Sequence, residues 1–516
     1  MVQMKLPLDV GVKIDPNDQV VTFKEVMEGV NLKKYLSGFH CSARGRNGYD
    51  PVTLLKIVLF AYMNNVRSTR KIEELCKYDI RFMYLSDELR PSHMTICTFI
   101  NKGLMGHIED IFNDITKYIL EKENIDISTI FIDGTKMEAF SNKYTWVWKK
   151  ACITSRDRKF RQLKEYFTDL NNKLLYLGQP EFPVKDEYEI KELDDIVQAM
   201  EKSMSDKGIG AAYGKGKRKT PQQRIRDHVD EVSKKLKEYA EKIEICGEGR
   251  NSFSKTDKDA TFMRMKTDYM GNTALLPAYN WQVCTAGEVI VTALTSQSAN
   301  DSTCFVTLME KYLNVYGEYP KCVVADAGYG TLATYDYCEK NEIEKFMKFP
   351  SWKRETHDMK FHNDPFRSRN FEIDEEGNPV CPNGKKFIKL YDKHVGNPAD
   401  HRTEEQYVCE NCEGCPLREK CFKGKNNRRI NINKTLTKYH EEVIDNLASE
   451  EGIRLRTIRS WMAEGTFGIS KQDYNFRRLT RVSLEKVNME FYLIMIGYNL
   501  KKYHNLKYRE KPEEMN

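Results

Sequence analysis

Two short stretches place acidic residues where they could act together. In TIFIDGTKMEAF, Thr129 to Phe140, the apolar and β-favouring run Ile130, Phe131 and Ile132 ends at Asp133-Gly134, after which the chain turns polar. This is the pattern of a short buried strand broken by Asp133-Gly134, with a carboxylate at its end and a glycine that lets backbone or ligand come close. A carboxylate on a rigid element suits a metal ion. An Asp-Gly turn with no further role reads the same way in isolation. CVVADAGYG, Cys322 to Gly330, repeats the arrangement: Cys322, Val323, Val324 and Ala325 lead into Asp326, then small residues. If the two strands are neighbours in one sheet, both carboxylates emerge at one edge, where open α/β sheets bind ligands. Such a pair needs a cation or a proton to coexist.

A third acid stands out by its surroundings. Arg454, Arg456, Arg459, Lys471, Arg477, Arg478 and Arg481 surround Glu464, with Asp473 the only other acid before Glu485. An acid amid so many cations is either an ion-pair partner or a metal ligand, and the cations either grip phosphates or solvate helix faces. A separate group has metal spacing: Cys409-x2-Cys412-x2-Cys415-x5-Cys421, with Cys381 as an alternative fourth ligand or an unused fifth. Thiolates this close can surround one structural zinc, whereas a reduced, metal-free loop is the plainer reading.

The elements that must position these residues can be read in outline. Residues 1 to about 48 carry a weak helical pattern, and Asp50-Pro51 reads as N-cap and first position of a helix over Val52 to Asn64. A second helix is expected over RSTRKIEELCKYDIRFMYL, with Arg67, Arg70 and Lys71 ahead of its apolar stripe, and a third from Pro91-Ser92 to about Asn101. Three short helices with basic connections are similar to a helix-turn-helix unit, though any small helical domain looks alike, so these three cations are candidate DNA contacts. Between the aspartate strands, Phe160 to Leu177 and Ile225 to Ile243 step by three and four, which predicts a helical hairpin joined by the Gly-rich basic link DKGIGAAYGKGKRKT. Residues 246 to 276 read as irregular and exposed. YNWQVCTA and EVIVTALTS, split at Gly287, form a hairpin; Asn300-Asp301-Ser302 caps a helix through Tyr312; and helix 332 to 341 and a strand at Ile343 to Phe349 follow Asp326. Residues 350 to about 440 read as a polar, cysteine-bearing interruption, and Val487 to Leu500 as the buried face of a long terminal helix. With the insertion set aside, the series β-β-β-α-β-α-β is the connectivity of a ribonuclease H-like mixed sheet.

Composition excludes several classes. At 516 residues the chain exceeds one core, so roughly two to four folded units are expected. With 31% charged and 40% hydrophobic residues it has the make-up of an ordinary soluble protein. MVQMKLPLDV lacks a signal-peptide core and no long apolar run occurs, so the expectation is a cytoplasmic protein without a membrane partner. A net charge of +6 permits a nucleic-acid partner without requiring one. Fourteen cysteines in that compartment are not a disulfide framework.

The chain resembles the DDE transposases of bacterial insertion sequences, in the branch whose N-terminal helical domain precedes a split ribonuclease H-like core. The resemblance rests on YDPVTLLKIVLFAYMNNVRSTRKIEE, FIDGTKMEAFSNKYTWVW, YNWQV, VVADAGYG, the CPLREKC segment, and AEGTFGISK with the terminal helix. It implies an α/β protein divided into a helical, DNA-binding domain over 1–125, a core over 126–349 that carries a helical insertion at 150–250, a cysteine-bearing insertion over 350–440, and a C-terminal part of the core over 441–516. It further implies a catalytic set of Asp133, Asp326 and Glu464 holding two Mg²⁺ ions, and Lys471 in the place of the lysine that follows the glutamate in the YREK signature. Thr457 and Ser460 stand where that signature has tyrosine and arginine, with Arg456 or Arg459 as substitutes. The implied activity is Mg²⁺-dependent hydrolysis and strand transfer at element ends, on double-stranded DNA and as a DNA-bound homodimer. Arg454, Arg459, Arg477 and Arg478 would hold the DNA. A catalytically inactive DNA-binding descendant and a structure-specific nuclease on the same fold are the alternatives.

Overall fold

The computed structural model describes residues 14–39, 48–174, 181–212, 218–265, 274–395, 403–464, 476 and 478–509, without the side chains of 463 and 464. The Ile130–Ile132 run forms β1 (Thr129–Glu138), longer than its apolar part. Two short strands, β2 (Trp146–Trp148) and β3 (Ser252–Ser254), pair with each other. The central sheet is completed by β4 (Thr261–Arg264), β5 (Leu275–Ala286), β6 (Val289–Ser296), β7 (Cys322–Ala325) and β8 (Glu344–Met347). β5 pairs antiparallel with β1 on one side and with β4 and β6 on the other, while β1, β7 and β8 run parallel. The fold is thus mixed α/β around a mixed sheet with many helices. The turn into β6 takes Gly287 at φ +52° and Glu288 at φ +69°, the two positive values that a tight hairpin demands.

Asp50 caps the helix Pro51–Met63 as its type predicts, accepting from the Thr53 N–H at 3.0 Å. The next helix is not continuous: it divides into Thr69–Tyr78 and Ile80–Leu85 at Asp79, whose backbone is extended and whose carboxylate accepts from the Arg81 N–H at 2.9 Å. An acidic residue able to cap its successors overrode the apolar stripe. The third helix, His93–Thr98, is capped by Ser92 and runs into a π-helical turn, Phe99–Gly103.

These helices share one continuous apolar core with the sheet and with the C-terminal helix Leu484–Lys507. The C-terminal helix packs on β6 and on the helices Pro51–Met63 and Ile108–Glu123. Gly497 permits the closest of these approaches, since a methyl group there would lie 2.7 Å from the carbonyl carbon and oxygen of Tyr62 and 2.9 Å from the Met63 nitrogen. Backbone atoms cannot swing aside as a side chain can. Gly497→Ala is therefore expected to lower stability by about 1–3 kcal/mol in urea unfolding, the usual cost of overpacking; an unchanged midpoint would mean that the helices part freely.

The insertion is larger than a hairpin. Three helices, Lys149–Leu174, Ile190–Asp206 and Pro221–Cys246, enclose a core of Phe160, Leu163, Phe167, Tyr188, Leu193, Val229, Val232 and Leu236. Phe160 to Leu170 of the first seam and Ile225 to Leu236 of the second lie on it, while Tyr239 and Ile243 pack instead with Val147, Cys152, Cys246 and Phe253; the middle helix was not foreseen because its few apolar residues give only a thin stripe. Residues 213–217 of the basic link, with Leu177 in the first seam, lie outside the described residues.

The segment read as irregular and the one read as a polar interruption both contain regular structure. Within 246–276, β3 and most of β4 are buried. The cysteine-bearing interruption contains two short helices, Trp352–His357 and Met359–His362, and a three-stranded antiparallel sheet of Phe387–His394, Thr403–Cys409 and Arg429–Ile432. Its small core is Phe371, Phe387, Tyr407, Cys409 and Ile430. Only Arg429–Ile432 alternates polar with apolar residues; Phe387–His394 is exposed at every residue after the first and Thr403–Cys409 opens on a polar run, so the segment looked polar as a whole. No helix among the described residues is long and apolar enough to cross a membrane.

Candidate active site

Parallel pairing sets Thr129 opposite Cys322, Ile130 opposite Val323 and Phe131 opposite Val324. The same register carried two residues further brings Asp133 level with Asp326, which follows the last residue of β7. The two acids thus stand at one edge of adjacent strands. Gly134 does not break β1, as the Asp-Gly pair led us to expect; it stays in the strand opposite Gln282. A methyl group at Gly134 would collide with the Gln282 amide, so the glycine makes room for a fully buried polar side chain.

The Asp133 side chain is 17% exposed, and its Oδ1 lies 3.5 Å from Nη2 of Arg459, at the end of the helix Glu450–Arg459. Of the two arginines weighed as substitutes in the signature, Arg459 is the one in the site, while the Arg456 guanidinium lies 5.4 Å from the centre of the Trp352 ring. The chain continues from Arg459 into a π-helical turn, Ser460–Glu464, that packs on β1 and β5. Glu464 is therefore carried by a turn seated on the sheet, although its side chain, together with Lys471 and Arg477, lies outside the described residues. Asp326 Oδ1 accepts from the Gly328 N–H at 2.8 Å.

Tyr329 lies beneath this edge, 1% exposed, with its hydroxyl donating to Gln282 Oε1. Burial pushes its phenol well above the usual 10, and the nearby charges of Asp301, Asp133 and Asp326 add to the effect. Tyr329 accordingly keeps its proton at any working pH. Asp301 was read as a helix cap, yet its side chain makes no cap hydrogen bond, and the segment after it opens as a 3₁₀ turn, Ser302–Cys304. Its Oδ1 instead accepts from Asn280 Nδ2 at 2.8 Å and from Gln282 Nε2 at 2.9 Å. The signal was in the sequence: two amides at alternate positions of an otherwise apolar strand call for a buried polar partner.

The remaining cations divide. Arg478 bonds the backbone oxygens of Ala139 at 3.3 Å and Ser141 at 3.0 Å, and it borders a cleft of about 550 Å³ lined by Glu138, Ser141, Asn142, Lys143 and Tyr144. Arg454 is turned to Glu451 in a bidentate pair at 2.9 and 2.6 Å. Arg70 and Lys71 are exposed, and Lys71 pairs with Glu74 at 2.8 Å. Arg67 is placed otherwise than a base-reading side chain: its guanidinium stacks 4.4 Å from the centre of the Phe476 ring, and burial lowers its pKa.

Cys381, Cys409, Cys412, Cys415 and Cys421 all line one cavity of about 20 Å³. Burial, and then the neighbouring Cys412 and Cys381, push the Cys409 thiol up to about 12. Arg428 Nη1 lies 2.9 Å from Cys421 Sγ. Among the described residues no three His, Cys, Asp or Glu side chains close on a common point as a metal-holding group. By donor chemistry carboxylates such as Asp133 and Asp326 suit Mg²⁺, and thiols such as those lining this cavity suit zinc.

Both ends of the chain match known families. Residues 9–102 match a family described as Transposase domain (DUF772), and residues 380–504 one described as Transposase DDE domain. Over these two segments the chain is similar to transposases. Together the matches support a DDE transposase of the insertion-sequence kind. Neither a curated protein nor a solved structure matches the chain.

Proposed function

We propose that the chain hydrolyses phosphodiester bonds at the ends of a mobile DNA element and joins the freed ends to a target, in a reaction that depends on Mg²⁺. The observation that carries the reading is the level placement of Asp133 and Asp326 on adjacent parallel strands, with the Arg459 helix and the Glu464 turn seated over them. The strand order also fits a ribonuclease H-like core, because antiparallel β6, β5 and β1 are followed by parallel β7 and β8. Asp133, Asp326 and Glu464 would hold the metal, which when bound activates the attacking oxygen and stabilises the leaving one. Arg459 offsets the negative charge at Asp133 and presents a cation where a phosphate would lie. The Arg478 cleft and the exposed Arg70 and Lys71 supply further positive surface for the duplex. In this reading the helices within 1–125 bind the ends, and a homodimer brings two ends together. Purified protein incubated with labelled element ends and Mg²⁺ tests it: cleavage followed by joining is expected, cleavage without joining would make it a nuclease, and binding alone an inactive descendant.

The five cysteines that line this cavity are proposed to hold one zinc through Cys409, Cys412, Cys415 and Cys421, with Cys381 as the alternative ligand. Metal analysis of protein purified without chelator should return one zinc per chain. Replacing Cys412 and Cys415 by serine should release it and raise hydrogen exchange across residues 380–425, since metal binding here is local folding energy. A preparation without zinc would overturn the assignment.

A further inference from the structure

The helical insertion distributes its cations unevenly. Residues 149–164, the first part of the helix Lys149–Leu174, hold seven Lys and Arg and a single acid, Asp157. Cations at a helix start run against the macrodipole, whose positive end lies there, and the first turn has no acid to offset it. The repulsion that results is one a bound anion would relieve. Three of the seven form a row. At about 100° per residue, Lys150, Arg158 and Arg161 fall within about 80° of one another, with Thr154 between them. All four are exposed, whereas Phe160, Leu163 and Phe167 on the opposite side fill the core of the insertion.

Elsewhere in the insertion cations are mostly tied to acids. On the helix Pro221–Cys246, Arg226, Lys234, Lys235, Lys237 and Lys242 pair with carboxylates at 2.5–3.0 Å. Beside the row itself, Arg156 is bound to Asp157 at 2.9 Å and Lys164 to Asp186 at 2.6 Å. Among the described residues Lys150, Arg158 and Arg161 have no such partner. A paired cation has its field offset, while an unpaired row keeps its field for an anion from outside. From Lys150 to Arg161 the helix rises about 16 Å, which matches about five phosphates of one strand of duplex DNA at about 3.4 Å each along the axis. The exposed Glu165 and Asp169 take over the same side further along and end the row there. The helix follows β2 without a break, and β2 lies one residue past Tyr144 of the Arg478 cleft, so two positive surfaces adjoin along the chain. Resting on DNA as the substrate in the proposed function, we propose that Lys150, Arg158 and Arg161 grip the phosphates of duplex DNA, which makes the helical insertion a DNA-holding arm. Phosphate contacts carry no base information, so the row acts on any sequence alike.

The experiment measures binding of the full chain to a fluorescein-labelled duplex of arbitrary sequence by anisotropy, from about 50 to 200 mM salt, with thermal unfolding as a check on the fold. Lys150→Gln, Arg158→Gln and Arg161→Gln combined should weaken binding about tenfold or more and flatten the dependence of log affinity on log salt by about three, near 0.9 per lost phosphate contact. Each single replacement should remove about one unit of slope, which decides the matter even if the combined variant does not fold. Arg158→Lys with Arg161→Lys keeps the charges and should stay close to the parent. Lys234→Gln, Lys235→Gln and Lys242→Gln combined take the same charge from paired positions and should change the slope by less than about one unit. An equal loss in that control would trace the effect to net charge, and a parent-like slope in the first variant would make the row a solvated face; either overturns the role of the row and leaves the proposed function standing. If the parent itself binds no duplex, the proposed function fails, and the role of the row with it.

Discussion

Asp133→Ala and Asp326→Ala are each expected to reduce DNA cleavage by ~10³-fold or more in the presence of Mg²⁺, with little change in unfolding midpoint or in affinity for DNA ends. The size of the effect follows from what the acids do. Neither contributes packing: Asp133 is part exposed and meets Arg459 through a 3.5 Å contact, and Asp326 stands past the end of β7 with one hydrogen bond to the Gly328 N–H. Removing either carboxylate takes away an oxygen donor that no other side chain in the strand replaces. It also relieves like-charge repulsion at the edge, so stability should hold or rise slightly. Glu464→Ala should behave as the other two. Cleavage is the measurement, on labelled ends with each variant at matched protein and metal concentration. Near-normal cleavage by any one of the three would remove that residue from the catalytic set.

Much of this site was legible in the chain because its signals are local. An apolar run followed by an aspartate is a local signal, and it marked β7, which stops just before Asp326; at Ile130–Asp133 it marked the strand but not its end, because β1 continues through Gly134 to Glu138. Asp50-Pro51 announced its helix for the same reason, and Gly287 its hairpin. What was missed depends on partners distant in sequence. Asp301 looked like a cap since Asn-Asp-Ser before a helix is a cap pattern, and only the fold brings the amides of Asn280 and Gln282 to it. Gly134 looked like a turn because its steric reason, the Gln282 side chain, lies on another strand. Arg67 looked like a DNA contact because its charge is visible in sequence and the ring of Phe476 beneath it is not. The strands of the cysteine segment went unread because Phe387–His394 is exposed almost throughout and Phe387, Tyr407 and Ile430 are too few to mark a core.

That same Phe476 ring belongs to a stack with a measurable job. Trp281, 1% exposed, lies between Phe491 of the C-terminal helix, at 4.3 Å between ring centres, and Phe476, at 5.4 Å, both nearly parallel to it; Arg67 then covers Phe476. Strand β5, the C-terminal helix and the N-terminal helices are thus joined through one column of rings. Trp281 pairs across the sheet with Thr135, two residues from Asp133, so the column also braces the strand that carries the first acid. Trp281→Ala would leave a cavity that three separate elements cannot close together, and a loss of about 3–5 kcal/mol is expected, the usual range for truncating a buried aromatic to alanine. Trp281→Phe keeps the stacking, and since the indole N–H has no hydrogen-bond partner among the described residues, it should cost less than half as much. Urea unfolding of the three proteins measures both differences. Cleavage by Trp281→Ala at low temperature, where enough protein remains folded, should stay within about tenfold of the parent, because the ring is buried between Phe476 and Phe491 and offers no surface to a substrate. Should Trp281→Ala lose under 1 kcal/mol, the column is not what fastens the C-terminal helix to the sheet, and the seating of the Glu464 turn over β1 and β5 would have to come from the Glu450–Arg459 helix alone.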